Sequence, residues 1–212
     1  MNTTRPHHSA HLSYSRTRIL TPVVSALVAT IAPIASAEFT YFLEDFNGWS
    51  ASAETHATCS FAEFPQNTFI TNQYESLGVL FTGFTGNVVN VGWSGFPLDG
   101  HGIDGNQGIE LTFDKPTFAI GAHGPGTWSY LLYQGDTLLY TSMSGPSIFG
   151  SFAGVVSTVP FDRVQLLGFP KPGGLLTDVY VDNIYFSSIP APAVLWVAGV
   201  AGLRSRGRRR ES

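Results

Sequence analysis

Three things are scarce in this sequence of 212 residues: cysteine, positive charge in its middle, and long unbroken apolar runs. Cys59 is the only cysteine, so no intrachain disulfide can form, even in a compartment that would permit one. It does not directly follow an apolar segment, which argues against a lipoprotein-type signal and for a small buried apolar role. Between Glu38 and Ile189 only Lys115, Arg163 and Lys171 carry positive charge, against fourteen Asp and Glu, a formal charge of −11. The −4 of the whole chain therefore hides an acidic body between two basic ends. Such a surface repels phosphate backbones and excludes nucleic acid as an expected partner. Cations, neutral glycans and basic surfaces remain open.

Long amphipathic helical patterns are missing too. What stands in their place is a series of short aromatic and β-branched runs broken by glycine and proline. Examples are "FTYFLEDF" (39–46), "GVLFTGF" (78–84), "NVVNVGW" (87–93), "GIELTF" (108–113), "TFAIGAH" (117–123), "TWSYLLYQ" (127–134), "DTLLYT" (136–141), "IFGSFAGVVS" (148–157), "DRVQLLGF" (162–169) and "DVYVDNIYF" (178–186). A further strand near Phe61 brings the expectation to about eleven. In "GIELTF", Ile109, Leu111 and Phe113 face one way and Glu110 and Thr112 the other, as in a sheet solvated on one side. Gly135-Asp136 reads as a tight hairpin and Lys115-Pro116 as a second strand-to-strand turn. The expected fold is all-β, an antiparallel β-sandwich of jelly-roll type, with an up-and-down barrel as the alternative.

The two ends read as addresses. Arg5, Arg16 and Arg18 precede an apolar stretch from Ile19 to Ile34, followed by Ala35-Ser36-Ala37. Basic, apolar and small-x-small regions in that order are a secretory signal, with cleavage expected between Ala37 and Glu38. At the other end Ala191 to Leu203 gives 13 apolar residues, about 20 Å as a helix and short of the roughly 30 Å hydrocarbon core. Arg204, Arg206, Arg208, Arg209 and Arg210 follow, a stop-transfer arrangement with the arginines on the cytoplasmic side. A glycosylphosphatidylinositol signal would end on its apolar segment, so these arginines exclude one. The organisation expected is 1–37 signal, 38–189 sandwich and 190–212 sorting and anchoring segment.

Pro190-Ala191-Pro192, the apolar helix and the terminal arginines together resemble the PEP-CTERM sorting signal, with alanine at the centre where glutamate is usual. That resemblance implies an exported protein whose tail is read by an exosortase, a membrane cysteine transpeptidase. The chain would pass through an inner-membrane intermediate to the cell surface or an exopolysaccharide matrix. The body phrases "FAEFPQNTFITNQYESLGVLFTG", "GIELTFDKP", "YQGDTLLY" and "VYVDNIYF" look like the jelly-roll domains such proteins carry, which are similar in architecture to carbohydrate-binding modules.

Catalytic signals are weak. "GWSGF" around Ser94 has Phe96 where a nucleophile elbow needs glycine. His56, His101 and His123 lack metal-ligand spacing and read as loop or surface residues. "DGHGIDGNQGIE" (99–110) fails as a calcium loop, with His101, Ile103 and Asp104 at ligand and glycine places, and reads as a glycine-rich turn. No carboxylate pair stands out for glycoside hydrolysis, so a non-enzymatic, structural or adhesive role is expected, with glycan hydrolase as the rival. Asp182 would share a strand face with Tyr180, Ile184 and Phe186, and if that face is the core its carboxylate needs donors or a cation. The other reading turns Val179, Val181 and Tyr185 inward and Asp182 to water. Resemblance to sandwich modules with a structural calcium nominates Glu63 as Asp182's partner in holding Ca²⁺. Trp49, Trp93, Trp128, Tyr130 and Tyr133 are candidates for stacking on sugar rings, core packing being the alternative.

Overall fold

The computed structural model describes residues 37–92, 94–125, 127–142 and 151–190. Their strands are β1 (Phe39–Leu43), β2 (Ala57–Cys59), β3 (Phe69–Ile70), β4 (Val79–Gly83), β5 (Val88–Gly92), β6 (His101–Gly105), β7 (Gly108–Gly124), β8 (Ser129–Gln134), β9 (Thr137–Thr141), β10 (Ser151–Leu167), β11 (Val179–Val181) and β12 (Ile184–Ser187). One helix, α1 (Phe46–Ala53), and a 3-10 turn at Glu75–Leu77 complete them. Every ladder is antiparallel. The larger sheet runs β2-β12-β7-β10-β8-β9, with β1 also on β10 and β4 also on β7, and the smaller runs β11-β6-β5-β3. Among the described residues no ladder joins the two sheets, so the layout is an open sandwich and not a barrel.

The larger sheet is organised by its two 17-residue strands. β7 pairs with β4 through Ile109–Phe113 and with β12 through Ala119–Ala122. β10 pairs with β1 through Ala153–Ser157 and with β8 through Arg163–Leu167. The register between β7 and β10 slips around Phe161, so the residues around Pro116 and Pro160 bulge out of the ladder. Proline has no N–H to give a ladder, and bulges are where a sheet tolerates it. Lys115-Pro116 is therefore a bulge inside β7, not the turn the sequence suggested, and "GIELTF" and "TFAIGAH" are one strand. "IFGSFAGVVS" and "DRVQLLGF" likewise merge into β10. Gly135-Asp136 does form the β8–β9 turn, with Gly135 at φ 55°.

Other expectations shift for local reasons. "FTYFLEDF" ends as a strand at Leu43, and Asp45 then caps α1 by accepting from Gly48 N at 2.8 Å. Trp49 and Ala53, four apart on α1, are both buried. The expected glycine-rich turn at 99–110 contains β6, whose Ile103 is fully buried; a Cβ on Gly102 would meet Val181 O at 2.5 Å, so only glycine lets the strands approach this closely. "DVYVDNIYF" splits at Asp182-Asn183 as the chain crosses from the smaller sheet to the larger. The strand expected near Phe61 is instead a turn with Phe61 at φ 63°, flanked by β2 and β3.

One apolar core lies between the sheets, with Ile109, Leu111, Val164, Leu166, Tyr130 and Leu132 from the larger and Val88, Ile103, Val179 and Val181 from the smaller. A second, smaller core sits under α1, where Trp49 and Ala53 pack on Ala119, Phe152, Val156 and Tyr185. The half of the larger sheet around β1 and β12 is thus covered on both faces. The half built from β4, β7, β10, β8 and β9 keeps one face to solvent.

Candidate binding face

Strand alternation decides what that open face carries. Inward positions of β7, β10 and β8 are apolar, and the residues between them point out. The ladders place Leu80, Thr112, Arg163 and Tyr133 in one row across the strands. Thr82, Glu110, Gln165, Leu131 and Thr141 form the next.

Their side chains hold one another. Arg163 donates to Glu110 Oε2 at 3.2 Å and to the Gly135 carbonyl at 2.9 Å, and its guanidinium lies 4.3 Å from the centre of the Tyr133 ring. Gln165 Nε2 donates to the same Glu110 oxygen at 2.8 Å, and the Tyr133 hydroxyl donates to Gln165 Oε1 at 3.1 Å. Asp162 accepts from Gly135 N at 3.0 Å and fixes the turn beneath Arg163. The Arg163 and Glu110 side chains keep 24 % and 25 % of their surface exposed, so the network is ordered yet reachable. Charge-assisted hydrogen bonds and a stacked guanidinium restrain rotamers that would otherwise be free. Exposed Leu80 and Leu138 flank it.

Of the five aromatic candidates, Trp49, Trp128 and Tyr130 are core residues, fully buried. Tyr130 donates to the Ala153 carbonyl at 2.8 Å, and burial pushes its hydroxyl pKa up. Trp93 lies outside the described residues. Tyr133 alone of the remaining four reaches the open face. Sequence reasoning missed Arg163, Gln165 and Glu110 as a group. The polar-apolar alternation of "DRVQLL" and "GIELTF" turns all three outward, but their meeting depends on a cross-strand register that no local pattern encodes.

Asp182 is fully buried, as one of the two readings required, but by neither strand face. It sits in the crossing between β11 and β12, where Val179 and Val181 face the core and Ile184, Tyr185, Phe186 and Ser187 are all buried. Its Oδ2 accepts from Leu98 N at 2.9 Å, and the Asn183 amide, oriented to suit its neighbours, donates to Oδ1 at 3.2 Å and to the Ser60 carbonyl at 3.3 Å. Desolvation raises the carboxyl from its ordinary 3.8 to about 6, with nearby Asp99 adding to the rise and Leu98 N and His101 opposing it. Glu63 is exposed and accepts from Ser60 Oγ at 2.7 Å. Desolvation works to raise its pKa, yet hydrogen bonds from its own backbone, Ser60 and Tyr74 leave it below the ordinary value. Glu63 and Asp182 thus have N–H and O–H donors on their oxygens, and among the described residues they join no group of three metal-type side chains.

His56 lies in the loop between α1 and β2, as expected, whereas His123 lies within β7, and both are half-buried. His56 and His123 pack edge-on or tilted against Phe46 and Tyr185 beside α1, and burial lowers the pKa of both. Cys59 is buried and its thiol pKa is pushed up by desolvation, as suits an inert core residue.

At the ends, Ala37 and Glu38 are described, and Glu38 exchanges 3.0 Å hydrogen bonds with Thr158 through its N–H and its carbonyl. Pro190 is exposed. Ala35, Ala191, Pro192, the apolar tail segment and Arg204, Arg206, Arg208, Arg209 and Arg210 lie outside the described residues. Among the described residues no helix is long and apolar enough to cross a membrane.

No family model matches the chain. No curated protein matches it either. Among solved structures, one similar chain is a mutant of CBM29-2, a family 29 carbohydrate-binding module, at 11 % identity and a TM-score of 0.30 over 52 % of this chain and 77 % of that one. Another holds the CBM51-2 and INT domains of Clostridium perfringens ZmpB with GlcNAc, at 10 % identity and 0.32 over 62 % of this chain and 32 % of that one. Overlap this slight assigns neither topology nor ligand. The β-sandwich class rests on the strands described above.

Proposed function

We propose that this protein is an exported β-sandwich that holds extracellular polysaccharide on its open sheet face, in a structural or adhesive role at the cell surface or in the matrix. The supporting observation is the Tyr133–Arg163–Gln165–Glu110 network. It presents fixed hydrogen-bonding groups and an aromatic ring on an exposed surface, in a body with only three cations. Ordering before binding lowers the entropy cost of capturing a flexible chain. Sugar hydroxyls suit a surface with donors and acceptors side by side and apolar Leu80 and Leu138 at its edges. The tail, through its resemblance to the PEP-CTERM signal, supplies a membrane-held intermediate and an exosortase-like processing partner. The role is binding, not hydrolysis.

Retention on immobilised bacterial and algal polysaccharides tests this. The wild type is expected to be retained and to release no new reducing ends. Tyr133→Ala with Gln165→Ala should weaken retention by about tenfold or more, the scale of losing one stacked ring and its hydrogen bonds. Retention unchanged in that double variant would overturn the face, and new reducing ends would favour the hydrolase.

A further inference from the structure

β7 has two neighbours on one edge, and they do not meet. β4 reaches Phe113 and β12 begins at Ala119, leaving 114–118 without a strand partner on that side. The gap is a pocket of about 280 Å³. Phe113 and Phe186 line it, 6 % and 7 % exposed, with ring centres 5.1 Å apart. Asp114, Lys115, His56 and Ser188 are at its sides. Lys115 and Asp114 are exposed and form no ion pair with any described residue, and His56 Nδ1 is buried without a hydrogen-bond partner among them.

We infer that this notch binds one carboxylate-bearing sugar residue at the end of a glycan chain, an inference that rests on the glycan reading above. Its volume is at the lower limit of small-ligand pockets, room for a single ring and not for a run of them. Walls from the α1–β2 loop, the turn before β4, β7 and β12 make it a recess, which admits a chain end where the open face admits a chain lying across it. The narrow exposed edges of Phe113 and Phe186, otherwise core residues, give it an apolar floor. Around them, Ser188 and Asp114 present oxygens suited to ring hydroxyls. Lys115 decides the charge. A body of formal charge −11 repels an acidic sugar in general, so such a sugar is held only where an unpaired cation meets it, and Lys115 is the cation at this pocket.

The test uses the full chain, with methyl β-D-glucuronide and methyl β-D-glucoside as probes in saturation-transfer NMR and calorimetry. The glucuronide is expected to bind and the glucoside to bind at least about tenfold more weakly, the scale of one charge-assisted contact. Lys115→Met should lose the same factor with an unchanged melt, since Lys115 is exposed. Ser188→Trp, which fills the notch, should abolish glucuronide binding, and Tyr133→Ala should leave it intact. Equal binding of the two probes, or wild-type binding by either Lys115→Met or Ser188→Trp, would overturn the notch. Loss of polysaccharide retention in the Tyr133 and Gln165 double variant is scored separately, so the two readings fail independently.

Discussion

At Asp182, burial has a direct consequence for stability. The unfolded carboxyl loses its proton near pH 4, whereas the folded one keeps it to about pH 6. The folded state therefore binds more protons across that window, and the stability this group contributes is fully present below it and lost as pH rises through about 6. His56 and His123 act oppositely: with lowered pKa values they stabilise the fold above their ordinary 6.5 and lose that contribution as pH falls. Melting curves from pH 4 to 7 on Asp182→Asn should lack the carboxyl's share and retain the histidines'. A wild-type slope in the variant would remove Asp182 from the account. A calcium shared with Glu63 would show as a fall in Tm on chelation that Asp182→Asn abolishes. A Tm unchanged by both the chelator and the substitution would remove the shared site and leave Leu98 N and the Asn183 amide as the partners of the two Asp182 oxygens.

The element with the most at stake is α1. Eight residues make a helix too short to persist alone, so its stability comes from the sheet beneath it. Trp49 fills the space that Gly121 and Gly154 leave: a Cβ on Gly154 would meet the indole at 2.6 Å, and one on Gly121 would meet Phe152 at the same distance. Trp49→Ala should cost about 3–5 kcal/mol by the usual scale for a buried aromatic. Gly154→Val should destabilise as well, because the indole has to move. Urea denaturation checks both, and a Gly154→Val midpoint equal to the wild type would show that α1 does not pack there in solution. The open-face network lies in the other half of the sheet, so polysaccharide retention should survive mild loosening of α1.

For the whole molecule, the described sandwich closes with β12, and Ile189 N donates to Ser187 Oγ just before the chain leaves it. Deleting 190–212 should leave a cooperative melt, and loss of that melt would show the tail to be part of the fold. Serine in place of the five tail arginines is expected to impair membrane retention while sparing the fold, measured by cell fractionation. A mature N-terminus at Glu38, read by N-terminal sequencing, is the outcome expected of export, and it would leave the Glu38–Thr158 hydrogen bonds intact.

Local chemistry in the sequence determined a good deal of this protein. Alternation in "GIELTF" set which side chains face water, Gly135-Asp136 set a hairpin, the missing second cysteine excluded a disulfide, and the charge count left an acidic body. Those features need only near neighbours along the chain. The tertiary structure decided the rest, because it depends on which distant strands pair. Pro116 and Pro160, which sound like stops, became tolerable inside β7 and β10 because each falls in a bulge, one on either side of the Phe161–Thr117 pair. "VYVDNIYF" divided between two sheets because its centre had to cross the core, and that crossing buried Asp182. Glu110, Tyr133 and Arg163 lie more than twenty residues apart from one another and met only because antiparallel register aligned them, and the notch exists because β4 and β12 stop short of each other along β7.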